Sequence, residues 1–222
     1  MSWVGYAAVF AAFFLTHSIP VRPAVKSHLT SALGARGFGL GYSILSLGML
    51  TILIWSAGQA PYVQLWPQVP WQRHVTHLGM LAVCLLLALS IARPNPFSFG
   101  GARNEAYDPT RPGITGLTRH PILNALALWA GVHLLPNGDV AHILLFGVLG
   151  VFAIAGRSLI DRRKRRIMGA EQWRSLDKSR RAAPKLHAPR SWPRTVLRIL
   201  LGLGAFVALI LAHPHVIGVP AL

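Results

Sequence analysis

Ten histidines in 222 residues, most of them within or at the ends of apolar runs, are the side chains here with the most chemistry to offer. An unpaired imidazole at membrane depth is costly and usually functional; for any single one, a helix end meeting headgroups or a backbone carbonyl is the commoner explanation, but the set is harder to dismiss. His133 lies thirteen residues after His120 in the stretch TRHPILNALALWAGVHLLPNGD. Thirteen residues of α-helix measure about 20 Å, so the two imidazoles serve separate sites. At one end, Arg119, His120 and Pro121 open a helix whose free N–H groups, beside a guanidinium and an imidazole, suit an anion or a ligand's carboxylate. The plain alternative is a helix start with Arg119 at the lipid headgroups. At the other end, His133 is within reach of His77 or His213. Two imidazoles whose ligating nitrogens stand about 4 Å apart, twice a metal–imidazole bond of about 2 Å, clamp a haem iron.

Other chemistries find little support. Glu105, Asp108, Asp139, Asp161, Glu171 and Asp177 are expected in or beside loops, which leaves no paired acids inside a bundle for glycosidase, protease or proton-pump work. Cys84 stands alone, so neither an intramolecular disulfide nor a cysteine metal cluster is available. No phosphate-binding loop, dinucleotide fingerprint, GxSxG elbow or HExxH pair occurs.

The elements that must position these histidines follow from composition. At 53% hydrophobic against 13% charged residues, the chain is too apolar for an ordinary soluble domain. Uncharged runs over 1–21, 37–72, 74–92, 120–138, 140–156 and 199–222 are compatible with the roughly 20 residues that span a bilayer. They predict an all-α polytopic membrane bundle of about six transmembrane helices, with Leu134-Leu135-Pro136-Asn137-Gly138 as the turn of a helical hairpin. Gly37 and Gly41, at GxxxG spacing, predict a close helix contact. The turn-rich segment RPNPFSFGGARNEAYDPTRPG carries aromatics suited to capping a cavity.

Charge position sets the topology. Lys and Arg number three in the first loop (Arg22, Lys26, Arg36), one in the second (Arg73), four in the third (Arg93, Arg103, Arg111, Arg119), none in the fourth and fourteen over 157–198. With an even number of helices, this alternation puts both termini outside and a basic segment, 157–194, in the cytoplasm. His17, His28, His120 and His187 then fall toward the inner face, and His74, His77, His133, His142, His213 and His215 toward the outer. The net charge of +16 is thus a topology signal, and no nucleic-acid partner is expected. In the basic tract, Trp173 among the cations predicts a surface helix on anionic headgroups of the lipid bilayer. No Lys or Arg precedes WVGYAAVFAAFFL while Arg22 and Lys26 follow it, so the first helix is expected to stay in the mature protein.

Through THSIPVRP, LGARGFGLGYSILSLG, GITGLTRHPILNALALWAGVHLLPNGD and DRRKRRIMGAEQW, the chain resembles the NnrU family of bacterial membrane proteins over nearly its whole length. More distantly it is similar to the plant zeta-carotene cis-trans isomerase that shares the domain. The resemblance implies one NnrU-type domain over 1–222, a multi-pass protein of the bacterial inner membrane with a part in nitric oxide and nitrite metabolism during denitrification. The related isomerase is a haem b protein. Its proposed ligands match His17 and His133, and the histidine matching His120 is implicated in its activity, while a cysteine considered as an alternative ligand there falls at Ala130 here. The resemblance therefore implies haem b on His17 and His133, whereas the topology pairs His133 with His77 or His213; both arrangements stand at this point. Any catalytic role falls to His120 and Arg119, with redox-gated ligand exchange opening the iron to a small gaseous or apolar ligand.

Two other classes stand beside this one. RHP before a hairpin and a basic helix resembles membrane S-adenosylmethionine-dependent methyltransferases over the later half of the chain. Those enzymes usually continue with tyrosine and glycine and carry paired glutamates, where this chain reads Ile122-Leu123-Asn124-Ala125 and Asp161-Arg162-Arg163. A non-enzymatic scaffold for nitrogen-oxide reductases would instead dock an acidic membrane partner on the basic tract.

Overall fold

The computed structural model describes residues 1–185, 188–219 and 221. His187, expected above at the inner face, lies outside the described residues. Among them the chain is helical: α1 (Trp3–Ser18), α2 (Pro23–Gln59), α3 (Pro70–Ser90), the short α4 (Ile114–Leu117), α5 (Pro121–Leu134), α6 (Val140–Met168), α7 (Ala170–Ala182) and α8 (Trp192–Val216). Proline opens α2, α3, α5 and α8 in the first turn, where its missing N–H costs nothing. The Ser2 and Ser191 hydroxyls accept from the backbone N–H groups of Gly5 and Arg194 and cap α1 and α8. Gly169, at φ 89°, separates α6 from α7.

Among the described residues four helices, α2, α3, α6 and α8, are long and apolar enough to cross a membrane. The two other apolar helices are shorter: α1 has 16 residues and α5 has 14. At 1.5 Å per residue they reach about 24 and 21 Å, less than the roughly 30 Å of hydrocarbon. The first loop, expected over 22–36, is instead mostly helical, because α2 starts at Pro23 and is interrupted only at Gly34, whose φ of 70° no other residue type adopts cheaply. The acids also depart from expectation. Asp161 lies inside α6 and Asp177 inside α7, both buried.

The chain forms two compact units, Met1–Trp66 with Gly138–Leu145, and Pro67–Asn137 with Phe146–Leu222. In the first, α1 packs on α2, and the buried Tyr6 hydroxyl donates to the Ala141 carbonyl at 2.8 Å. The backbone N–H of Leu65 donates to Gly138 at 2.7 Å and that of Val140 to Val63 at 2.9 Å.

In the second unit, α3 packs against both α5 and α8. The close approaches fall at Gly79, where a Cβ would stand 2.4 Å from a Val132 methyl, and at Gly202, where it would stand 3.2 Å from the Cys84 carbonyl. Gly37 and Gly41 do not make the helix contact expected of them: Gly41 has no neighbour near its Cβ position, and Gly37 meets only Leu33 of its own helix. The expected hairpin is present. From 146 onward α6 runs antiparallel to α5, with Phe146 against Trp129 and His133, Gly156 against Leu123, and Arg157 donating to Asn124. One end of this unit gathers the start of α3 with the ends of α5 and α8. The opposite end gathers the finish of α3 with α4 and the start of α8, and Asn95 donates there to the carbonyl of Arg119, just before α5.

Candidate functional site

At the second unit's basic end, the start of α5 is tied by a charged network. The Arg119 guanidinium donates to Asp161 at 2.7 Å and to Asp177 at 3.2 and 3.3 Å. His120 Nε2 lies 3.0 Å from Asp161, and its Nδ1 lies 3.1 Å from the Ser98 hydroxyl. Since a carboxylate only accepts, Nε2 carries the proton, and Nδ1 of the neutral ring accepts from Ser98. Asp177 also accepts from Arg180 and Arg181 at 2.8 Å, while Arg180 reaches the Thr115 carbonyl at 2.9 Å.

The electrostatics follow from burial and charge together. Burial pushes the His120 imidazole below its ordinary pKa, and Asp161 offsets this only in part. For Asp177, burial pushes the carboxyl up, but the hydrogen bond from Arg180 and the charges of Arg119, Arg180 and Arg181 outweigh it and hold it below the usual carboxylate range. Arg119 and His120, expected to offer an anion site at the start of α5, are thus engaged by the protein's own carboxylates.

Trp173 departs from its expected place. It does not lie out among headgroups but is 3% exposed, edge-on to the buried Phe97, with Arg119 and Arg165 over its ring. It shares the inward stripe of α7 with Asp177 and Arg180, and the exposed cations Arg174 and Lys178 remain for solvent or lipid. Phe97, from the segment expected to cap a cavity, is fully buried against Trp173 and Tyr107.

At the opposite end, His77 of α3, His133 of α5 and His213 of α8 line one cavity of about 120 Å³. A second cavity of about 420 Å³ shares Gln68, Arg73 and His77 with it. Cofactor-sized ligands usually occupy roughly 300–1,000 Å³; the cavity that the three histidines share is smaller than this, and the second, which only His77 of the three lines, falls within it. The His133 Nδ1–H donates to the Trp129 carbonyl at 2.8 Å, which fixes the tautomer and leaves Nε2 with its lone pair. His213 Nδ1 is held in the same way by the Val219 carbonyl at 2.7 Å. His77 instead uses Nε2, 2.8 Å from the Ala221 carbonyl, which leaves Nδ1 as its acceptor. A backbone carbonyl on the remote nitrogen is the usual partner of a metal-ligating imidazole. Among the described residues no group of three or more His, Cys, Asp or Glu is placed to hold a bare metal ion. A haem iron would need only one or two protein imidazoles, and His77, His133 and His213 are the residues here whose chemistry would suit it. Arg73 lines both cavities and offers a counter-charge for a carboxylate such as a propionate.

His17 belongs to the first unit. There, on the last turn of α1, its ring stacks on Phe13 at 5.3 Å and tilts over Tyr42 at 5.6 Å, while its carbonyl accepts from the Tyr42 hydroxyl. Ser98, Asp161, Asp177 and Arg180 were not singled out as site residues by sequence. The available signal was scarcity: six acids among 22 Lys and Arg, any buried one of which must be paired.

Residues 6–221 match the family model described as NnrU protein. No curated protein and no solved structure matches the chain.

Proposed function

This chain belongs to the NnrU family, and from that premise we propose that it is a haem b-binding protein of the bacterial inner membrane that serves nitric oxide or nitrite metabolism in denitrification. The observation that supports the cofactor is the convergence of His77, His133 and His213 on one cavity, with the His133 tautomer set by the Trp129 carbonyl. His133 is the first ligand in this reading. The second comes from His77 or His213, which share its cavity, or from His17, which the resemblance favours. Bound haem would supply a redox-active iron able to take up a small molecule or an unsaturated chain. The protein's own contribution would be to orient the imidazoles through backbone carbonyls and to offer the Arg73 guanidinium as counter-charge to a ligand carboxylate. Arg119 and His120 serve from the far end of α5, positioning that helix against α6 and α7.

The same reading holds residues 1–222 to be one membrane domain, with α1 and α5 joining the four long helices as six crossings, both termini outside and the basic segment 157–194 cytoplasmic. The alternation of Lys and Arg between loops supports it.

Absorption spectra of the purified protein, oxidised and dithionite-reduced, with a pyridine haemochrome assay, test the cofactor. A near-stoichiometric b-type signal that His133→Ala abolishes is expected. Among His17→Ala, His77→Ala and His213→Ala, the variant that changes the spectrum identifies the second ligand. Haem-free protein after haem-supplemented expression sinks the reading. His120→Ala with unchanged haem and lost function would make the basic end a site of its own, and nitrite or nitric oxide accumulation in a deletion strain tests the physiological role.

A further inference from the structure

A cavity of about 200 Å³ at the basic end is lined by none of the three clustered histidines and by neither Arg119 nor Asp161, and touches their network only at Thr115. Arg93, Arg111, Arg190 and Arg198 line it, and Asp108 is the one acid in its wall. Of these four arginines, only Arg190 is paired with a carboxylate of the described residues, that of Asp108. Arg198 donates to the carbonyls of Ala88 and Ile91 at the finish of α3, and Arg111 reaches the Ala188 carbonyl at 3.4 Å, so the backbone aims both guanidinium groups without neutralising them. Burial, and then the charges of Arg198, Arg190, Arg194 and Arg103, hold Arg93 below the ordinary arginine pKa, the mark of cations crowded without enough counter-charge. Such a cluster is relieved by a bound anion, and guanidinium forks match the oxygens of a phosphate.

The surroundings indicate where that phosphate comes from. The cavity borders the first turns of α8, where Trp192 is exposed and Leu197, Leu200 and Leu201 present an exposed apolar flank. An exposed tryptophan at the end of an apolar helix marks headgroup level. The space is several times the roughly 30 Å³ share of one water and takes a phosphate with part of its glycerol. We propose that this cavity is a specific site for the phosphate of an anionic phospholipid, held by Arg93, Arg111 and Arg198, with the acyl chains against α8. It is independent of the haem reading. A free phosphate offers the same oxyanion and is the competing source.

The test uses the full-length protein stripped of lipid and reconstituted in nanodiscs of phosphatidylcholine, with or without phosphatidylglycerol. Native mass spectrometry reads retained lipid, and melting curves read stabilisation and confirm folding. Wild type should retain phosphatidylglycerol and melt higher with it. Arg93→Gln and Arg111→Gln should each weaken retention by about tenfold, the effect of one lost charged hydrogen bond. Arg111→Lys, which keeps the charge, should retain most of it. Arg174→Gln, on the exposed face of α7, should behave as wild type. Equal retention in Arg93→Gln, Arg111→Gln and wild type overturns the site, as does an equal loss in Arg174→Gln, which would mean diffuse surface attraction. Stabilisation by inorganic phosphate in phosphatidylcholine alone, with nothing added by phosphatidylglycerol, overturns the lipid assignment in favour of a soluble phosphate.

Discussion

Replacing Asp177 with alanine should loosen α7 from the rest of its unit. The carboxylate is 4% exposed and accepts from three guanidinium groups, those of Arg119, Arg180 and Arg181. Removing one partner of a buried ion pair costs about 3–5 kcal/mol, because the other charge stays behind without compensation. Here the lower limit applies. Arg119 keeps Asp161 at 2.7 Å, and Arg180, itself 6% exposed, keeps the carbonyls of Thr115 and Gly116. A loss of about 3 kcal/mol corresponds to roughly 6–12 °C in melting temperature for a chain of this size. Arg181→Ala is the internal control. Its side chain is 65% exposed, so its share of the same carboxylate is worth under about 1 kcal/mol. Thermal unfolding in detergent followed by circular dichroism reads the magnitude, and hydrogen exchange places it: α7 amides should lose protection first. The acid limb carries the sign. Asp177 is held below the usual carboxylate range, so its contribution is full above the unfolded value near pH 4 and is lost as pH falls through the lower folded value. Asp177→Asn should flatten that limb. An Asp177→Ala protein that melts with Arg181→Ala and keeps α7 protected would show that this carboxylate does not anchor α7.

Two further outcomes test the packing and the neutral imidazole. Gly79→Ala drives a Cβ to 2.4 Å from a Val132 methyl and should cost about 1–3 kcal/mol in denaturant unfolding, while Gly41→Ala, with nothing near, should stay close to wild type. His120 has its folded pKa depressed by burial, so its contribution is complete above the unfolded value near 6.5 and is lost as pH falls through the lower folded value. Melting temperatures measured from neutral pH down to about 5 should fall in wild type and fall less in His120→Gln.

Much of the architecture was legible in the residues. Apolar runs marked where α3, α5, α6 and α8 run, and Pro136, Asn137 and Gly138 marked the turn between α5 and α6. The alternation of Lys and Arg between loops placed His77, His133 and His213 toward one face, and the cavity they share lies at one end of their unit. The charged network at the other end was not legible. Asp161 precedes the run RRKRR and Asp177 stands among Lys178, Arg180 and Arg181, so both resemble loop or surface acids. Their burial depends on α6 continuing as a helix to Met168 and on α7 turning Trp173 inward onto Phe97.

The division has a physical cause. Partition between water and hydrocarbon acts on stretches of about twenty residues, and the bias of cations acts on whole loops, so one-dimensional order suffices to locate helices and sort their ends. Which face of each helix meets its neighbour is a question of rotation about the helix axis. In a helix that is apolar all round, no periodicity in the sequence answers it. Gly37 and Gly41 had the spacing for a close contact, yet Gly79 and Gly202 make it, because only the packing of α3 on α5 and α8 determines whose backbone is approached. The residue types and their sides were therefore set by the sequence. The partners of Arg119 and His120, and the meeting of three histidines in one cavity, were decided by the tertiary structure.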